Sequence, residues 1–281
     1  MYRLRPGRRI SRVAVLALAA SAVLSSLTTS APEIAAAATT TYVRGADISW
    51  PQCPTSVGIP TRRGLDQPMP ARTSDFVVVG LTNGPAFYPN PCIEQQMRWV
   101  RNHHVFAAAY SVTTYPRARQ VKRYGASGPF SAGSRVGRLR NTGYNQARFN
   151  IATMKEAGLK SPAVWIDVEP STVIPWSGSV VRNRAVVDGI VRGYRDAGYR
   201  VGIYSTRYLW QQIVGNARYG LPEWRTAGRA TMSSALRKCS SGSVQGGRAV
   251  MTQWYTLTRD FDVMCPGYGT RAAMRRWFHK Y

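Results

Sequence analysis

The chain has 281 residues, and 44% of them are hydrophobic, which is enough to bury one large core. No linker rich in Pro, Ser and Gly divides the chain, so two ordinary domains are not expected. The formal net charge of +25 suits an anionic partner, but no basic run interleaved with aromatic residues marks a nucleic-acid module. We therefore expect one domain and no specific nucleic-acid ligand.

The first residues have the composition of a secretory signal peptide. Five arginines between residues 3 and 12 precede the apolar run Val13–Leu27, and Ala35–Ala38 offers a small-residue cleavage site. We predict a signal peptide over residues 1–38, a mature domain over residues 39–281, and a secreted, extracellular protein associated with the cell wall. Without the leader's five arginines and one glutamate, the net charge is still +21. No second apolar run approaches the length that spans a bilayer.

The first half of the mature chain alternates predicted strands with predicted helices. Asp75–Thr82 is the clearest buried strand, because a continuous β-branched run is typical of a strand covered on both faces. In chain order we expect a short strand that delivers Asp47, an irregular Pro-rich stretch over 54–74, the strand over 75–82, a helix over 92–103, a strand over 105–111, a loop over 114–137 and a helix over 142–157.

The stretch Ser161–Pro170 is predicted to be a buried strand with its chemistry at the C-terminal end. Its apolar run ends in Asp167 and Glu169, and Pro170 cannot donate to a sheet ladder. Side chains two apart on a strand share a face, with Cα atoms roughly 6.5 Å apart. Two carboxyl groups at this spacing can divide the roles of proton donor and charge stabiliser that sugar hydrolysis needs. Asp-X-Glu also occurs by chance in solvated loops, so the tripeptide alone does not distinguish a catalytic pair from two surface acids.

The pattern changes after this strand. We expect a helix over 180–197, a strand over 199–205 and a helix from Thr206 to about residue 214. Strands over 221–227, 249–255 and 261–265 follow, and the polar, Gly- and Ser-rich residues 232–247 predict no helix between them. Five β/α units followed by three β-strands predict the α/β class: a single barrel, TIM-like and flattened, with its site at the C-terminal strand ends.

Four cysteines in an exported chain predict two disulfides. Their spacing matches no metal motif, and the three histidines are too few and too scattered for a zinc site, so no metal or cofactor is expected. Three pairings are possible. We favour Cys53–Cys92 with Cys239–Cys265 because each closes the shorter loop, although the sequence leaves the alternatives open.

Several short motifs fall along the chain in an order that resembles a known family. They are Gly45-Ala-Asp47-Ile-Ser49, Phe76 to Gly84, Ala109-Tyr110, Trp165-Ile-Asp167-Val-Glu169, Gly202-Ile-Tyr204-Ser205, Gln253-Trp254 and Phe261-Asp262-Val263. This series resembles the family 25 glycoside hydrolases, N-acetylmuramidase-type lysozymes that cleave peptidoglycan after N-acetylmuramic acid, or a close relative in the same barrel superfamily.

The resemblance implies a role for particular residues. Glu169 would be the general acid, and Asp167 would orient the substrate's N-acetyl group or stabilise the cationic intermediate. The acidic cluster would be completed by Asp47 and Asp262. The substrate-binding residues would be Tyr110, Tyr204, Trp254, Gln253 and Asn83.

The sequence departs from the family's pattern beside this cleft. Asn83 stands where many members carry an acid, Trp50–Cys53 rearranges the usual segment after the first strand, and the loop over 55–73 is longer and Pro-rich. We expect a monomeric hydrolase whose partner is peptidoglycan or a related anionic wall glycan. The alternatives are a non-catalytic wall-binding protein on the same barrel and a polyanion-binding protein that acts through its charge.

Overall fold

The computed structural model of the protein describes residues 41–170 and 173–281. The predicted signal peptide and the predicted domain boundary after residue 38 lie outside them. The strands are β1 (Arg44–Ile48), β2 (Gly58–Ile59), β3 (Arg62–Arg63), β4 (Phe76–Gly80), β5 (Phe106–Val112), β6 (Ala163–Asp167), β7 (Arg200–Ser205), β8 (Glu223–Thr226), β9 (Ala249–Tyr255), β10 (Asp260–Met264) and β11 (His279–Lys280). The helices are α1 (Ile93–His103), α2 (Ala118–Tyr124), α3 (Arg135–Glu156), α4 (Val180–Asp196), α5 (Arg207–Val214), α6 (Met232–Arg237) and α7 (Arg271–Met274), with one 3₁₀ turn at Trp50–Gln52.

Eight strands close into a barrel in the order β5-β4-β1-β10-β9-β8-β7-β6, and β6 pairs back onto β5. All neighbours are parallel except β10, which runs antiparallel to both β9 and β1. The predicted single α/β barrel is confirmed. One consequence matters for the site: β10 starts at the end of the barrel where the parallel strands finish, because it runs the opposite way.

Alternation along the strands separates two apolar layers. On β4, Val77 and Val79 pack outward in the layer that includes Met97 and Val100 of α1, while Phe76 and Val78 face the interior of the barrel. Branched residues suit such a strand, since both of its faces are buried. The helices therefore cover an aliphatic layer, and the barrel interior is filled separately.

Five large aromatic residues fill the barrel interior, and we call them the aromatic plug: Phe76, Trp165, Trp224, Trp277 and Phe278. The ring centroids of Trp165 and Trp277 are 5.4 Å apart, and those of Phe76 and Phe278 are 4.8 Å apart. Trp165 fits only because Gly202 on the neighbouring strand has no side chain; a Cβ there would lie 2.2 Å from the indole ring. β11 follows directly after Phe278 and pairs with the start of β5.

Three helical segments differ from the sequence prediction. α2 lies inside the stretch predicted as a loop over 114–137, and α3 begins at Arg135 instead of residue 142. α6 occupies part of the polar stretch that predicted no helix. These segments are held by polar caps, which hydrophobic periodicity does not detect: Ser134 Oγ accepts from the Gly137 amide at 3.0 Å, and Thr231 Oγ1 accepts from the Ser234 amide at 3.3 Å.

The disulfides Cys53–Cys92 and Cys239–Cys265 both form, so the favoured pairing is confirmed. The first joins the turn after β1 to the start of α1, and the second joins the segment after α6 to the end of β10. Each disulfide therefore ties a connecting segment to the end of a helix or a strand. Within the described residues, no helix is long and apolar enough to cross a membrane.

Candidate active site

A cleft of about 400 Å³ opens at the C-terminal ends of the parallel strands. Six of the predicted site residues line it: Asp47, Tyr110, Asp167, Glu169, Tyr204 and Gln253. The wall also contains residues that the sequence did not single out, among them Arg62, Trp224, Tyr255 and Asp260. The motifs scattered along the chain thus meet in one place.

The backbone explains how four carboxyl groups reach this cleft. Asp47 lies on β1, Asp167 is the last residue of β6, and Glu169 follows it in the connecting turn. The turn is fixed in part by Trp176, whose Nε1 donates to the Glu169 carbonyl oxygen at 2.8 Å. Asp260 arrives from the other direction, because the antiparallel β10 begins at the cleft.

The pKa values of the carboxyl groups that line the cleft are raised. Burial, and then the charge of Asp260, raise the pKa of Glu169 to about 7. Burial also raises the pKa of Asp260 to about 6. The pKa of Asp167 is raised well above its ordinary value by burial and then by Glu169, and the nearby Arg62 opposes this rise. Carboxyl groups this close cannot all be ionised together at neutral pH, so the cluster retains protons.

Asp47 belongs to a chain of hydrogen bonds across the cleft. Tyr204 donates its hydroxyl proton to Gln253 Oε1 at 2.7 Å, and Gln253 Nε2 donates to Asp47 Oδ2 at 2.8 Å. Burial, then the charges of Asp260 and Asp262, raise the pKa of Asp47 well above its ordinary value. The chain spans β7, β9 and β1, so it fixes three separate strands at the cleft.

Asp262 lies beside the acidic cluster, where its charge raises the pKa of Asp47, but it is not part of the cleft wall. It is fully buried and does not line the cleft; Trp224 Nε1 donates to its Oδ1 at 2.7 Å. Asp260, one step along the same face of β10, lines the cleft instead. The sequence motif thus identified the strand that reaches the cleft, and it did not single out Asp260, the residue of that strand that lines it.

Two predicted substrate-binding residues also lie away from this cleft. Trp254 stacks on Phe261, with ring centroids 5.3 Å apart, and lines a neighbouring cavity of about 380 Å³. Asn83 is 1% exposed and holds the β2–β3 hairpin: its Oδ1 accepts from the Ile59 amide at 2.8 Å, and its Nδ2 donates to the Arg62 carbonyl oxygen at 3.2 Å. Its role in the structure is to place the hairpin that carries Arg62.

Arg62 is the cleft residue that sequence reasoning missed most completely. It lies in the Pro-rich stretch expected to be irregular, where no periodicity marks it. Its guanidinium carbon is 4.8 Å from the centroid of the Trp50 ring. Among residues 41–170 and 173–281, no group of three or more His, Cys, Asp and Glu side chains is arranged to hold a metal ion.

Comparisons with known proteins agree with this geometry. The family model described as Lysozyme-like protein 1 matches residues 136–226, the span from α3 to β8 that includes Asp167, Glu169 and Tyr204. Lysozyme-like protein 5 of Caenorhabditis elegans is 36% identical over 76 residues, which are 27% of this chain and 34% of that protein. Probable GH family 25 lysozyme 4 of Dictyostelium discoideum is 33% identical over 63 residues, 22% of this chain and 28% of that protein.

The likeness in fold extends further than the likeness in sequence. The solved structure of a family GH25 lysozyme from Aspergillus fumigatus superposes with a TM-score of 0.54 at 18% identity, covering 84% of this chain and 98% of that one. The matched segments span only about a third of the length of the curated relatives. The chain thus has the barrel fold of that lysozyme, and its sequence is similar to lysozyme-like proteins over residues 136–226. Its resemblance to the family 25 glycoside hydrolases, indicated by the motifs, is confirmed over the segment that carries Asp167 and Glu169.

Proposed function

We propose that this protein is a secreted muramidase, a glycoside hydrolase that cleaves peptidoglycan glycan strands after N-acetylmuramic acid. The observation that carries the proposal is Glu169: its carboxyl group lies in the cleft of a lysozyme-like barrel, and its pKa is raised to about 7. A carboxylic acid that keeps its proton near neutral pH can donate that proton to a glycosidic oxygen.

Glu169 acts as the general acid in this proposal. As the bond between the sugar carbon and the glycosidic oxygen breaks, the oxygen takes the Glu169 proton and leaves as a hydroxyl group. Positive charge develops on the sugar ring that remains, water then adds to the anomeric carbon, and the proton that this water releases returns to the carboxylates of the cluster. The neighbouring acids of the cluster favour the protonated form of Glu169 beforehand and stabilise that positive charge when they are ionised.

Asp167 is positioned to act on the other side of the reaction. Among the described residues, nothing donates a hydrogen bond to its buried Oδ1 atom. A buried carboxyl oxygen without a partner is costly, and a bound substrate can remove that cost. The N–H of an N-acetyl group would fill the position, which supports the role of Asp167 in orienting that group or in stabilising the cationic intermediate.

Aromatic and polar side chains form the walls for the sugar. Tyr110 and Tyr204 line the cleft and are almost fully buried, and the Tyr204 hydroxyl is committed to Gln253. Their rings are therefore fixed before substrate arrives. Flat, immobile rings suit the apolar face of a pyranose, so these residues, with Gln253, are the proposed substrate-binding set.

Charge and export fit the same function. The predicted leader, the two disulfides and the excess of basic residues suit a protein that works outside the cell at an anionic wall. A wall-binding protein without catalysis is the main alternative. A binding protein needs no carboxylic acid that keeps its proton up to about neutral pH. The raised pKa of Glu169 therefore favours a hydrolase over a binding protein.

Purified cell walls test the proposal directly. The mature protein should lower the turbidity of a wall suspension and release new reducing ends, with N-acetylmuramic acid at each new terminus. Binding to walls without release would favour the binding protein. Binding to heparin or DNA that disappears at modest salt, with no wall cleavage, would favour the polyanion-binding protein.

A further inference from the structure

We propose that Arg62 determines substrate specificity by binding a carboxylate on the glycan, the free lactyl carboxylate of an N-acetylmuramic acid residue that carries no peptide. This inference rests on the proposed function and deepens it. It would make the protein selective for strands whose peptides have been removed over strands that still carry them.

The structure holds Arg62 in a defined slot. The guanidinium carbon lies 4.8 Å from the centroid of the Trp50 ring on one side. On another side it meets Gly84, where a Cβ would lie 2.6 Å from Nη1 and where φ is +101°, so both space and backbone conformation call for glycine. Asn83 holds the Arg62 carbonyl oxygen at 3.2 Å. The Arg62 backbone is thus fixed by Asn83, and its guanidinium is confined between Trp50 and Gly84, so the side chain is pre-organised for a ligand.

The described part of the protein offers no acceptor to the donors of this guanidinium. Among residues 41–170 and 173–281, no side chain forms an ion pair with Arg62, and no acceptor takes a hydrogen bond from its guanidinium. The exposed neighbour Arg63, by contrast, donates from Nη1 to the Ser56 carbonyl oxygen at 3.1 Å. Five N–H donors in a half-buried cleft wall favour an acceptor that comes from the substrate.

Charge explains why a cation is needed at this point. Asp47, Asp167, Glu169 and Asp260 line the cleft, and Arg62 is the one basic residue among the described residues of its wall. An acidic cleft repels an anionic sugar chain. A single guanidinium at the wall offsets this repulsion at one position, so it selects where the negative group of the substrate can lie.

The chemistry of peptidoglycan identifies that group. Its backbone alternates two N-acetylated sugars, and only N-acetylmuramic acid adds a carboxyl group, on its lactyl ether. This carboxyl is ionised when free and becomes a neutral amide when a peptide is attached. A planar guanidinium matches a carboxylate through two parallel hydrogen bonds, whereas an amide offers one carbonyl oxygen and no charge.

The test compares two oligosaccharides that differ only at this group: a peptide-free N-acetylglucosamine–N-acetylmuramic acid oligomer and the same oligomer with each lactyl carboxyl converted to a methylamide. The value of kcat/KM is measured for the wild type, Arg62→Gln and Arg62→Lys. The dissociation constant is measured for Glu169→Gln alone and for Glu169→Gln combined with each Arg62 substitution. Arg63→Gln is the matched control, since it removes the adjacent arginine of the same hairpin outside the cleft.

We expect Arg62→Gln to weaken binding and cleavage of the carboxylate oligomer by about 10- to 100-fold, the range for a charge-assisted hydrogen bond, and to change the methylamide oligomer by less than about threefold. Arg62→Lys should retain part of the preference, and Arg63→Gln should retain all of it. Equal losses on the two oligomers would overturn the inference and indicate that Arg62 acts through Asp167. Failure of the wild type to cleave either oligomer would reject the proposed function, and the dissociation constants would still decide the role of Arg62.

Discussion

The aromatic plug and the acidic cleft occupy the same barrel interior, yet burial has opposite consequences for them. On β6, Trp165 belongs to the plug and Asp167 to the cleft, two residues apart on one face, and both are buried. Burial stabilises the indole, which contacts other rings. It disfavours the ionised form of the carboxyl and raises its pKa.

Trp224 marks the boundary between the two regions. Its ring centroid lies 4.5 Å from that of Tyr204, which lines the cleft, and 6.3 Å from that of Trp165 in the plug. Its Nε1 donates to Asp262 beneath the cleft. The plug thus forms a packed aromatic floor under the acids. The comparison teaches that the cleft obtains its proton-holding carboxyl groups by burying them. The aromatic plug supports these groups and contains no carboxyl group itself.

The largest expected effect follows from removing the proton donor of the cleft. Glu169→Gln keeps the shape of the side chain and should lower the rate of wall cleavage by about 10²-fold or more, the scale of general acid catalysis. The fold and wall binding should remain, because the plug is untouched. Turbidity assays, circular dichroism and wall sedimentation measure the three quantities.

Asp167→Asn is the matched companion variant. It should also reduce cleavage strongly, through lost charge stabilisation or lost substrate orientation and not through lost proton supply. A substrate whose leaving group needs no protonation should restore the Glu169→Gln enzyme and leave the Asp167→Asn enzyme impaired. If Glu169→Gln cleaves walls at nearly the wild-type rate, the proposed mechanism is wrong.

A substitution in the plug should affect the fold and spare the chemistry. Gly202→Ala places a Cβ at 2.2 Å from the Trp165 ring, and we expect it to lower the free energy of unfolding by about 1–3 kcal/mol, the range for overpacking a core. Urea denaturation measures this loss. Gly178→Ala is the control, because no atom lies within 4 Å of its Cβ position. A stable Gly202→Ala protein with impaired catalysis would show that the two regions are not separable in this way.

The smallest expected effect is the dependence of stability on pH. The pKa of Glu169 is raised to about 7 and that of Asp260 to about 6, so the folded protein holds protons that the unfolded chain has already released. The stability contributed by these two groups should therefore be fully present below their ordinary pKa values and be lost as pH rises towards about 7. Cleavage should fall over the same upper range as Glu169 loses its proton.

Thermal unfolding of Glu169→Gln isolates this contribution. Between pH 4.5 and 7.5, the melting temperature of the wild type should decrease more than that of the variant, by roughly 2–4 °C for each kcal/mol in a domain of this size. We expect a difference of about 1–3 kcal/mol, because a rise from 4.5 to about 7 corresponds to about 3 kcal/mol for an isolated group. Parallel curves for the two proteins would mean that Glu169 titrates at its ordinary pKa.

The sequence by itself predicted the eight barrel strands and the Asp167–Glu169 pair, and it favoured the disulfide pairing that the structure contains. These features depend on local information: continuous β-branched runs, short loops between cysteines, and the alternation of side chains along one strand. The resemblance of their motifs to the family 25 glycoside hydrolases predicted Tyr110, Tyr204 and Gln253 as residues of the site, and all three line the cleft.

The tertiary structure alone decided which other groups join them. Asp260 lines the cleft because the antiparallel β10 meets the cleft with its first residue, whereas Asp262 is buried beneath it. Trp254 faces the neighbouring cavity, and Asn83 supports a hairpin that carries Arg62 into the wall. These positions depend on strand direction and on how an irregular segment folds back over the barrel, and neither follows from the spacing of residues along the chain.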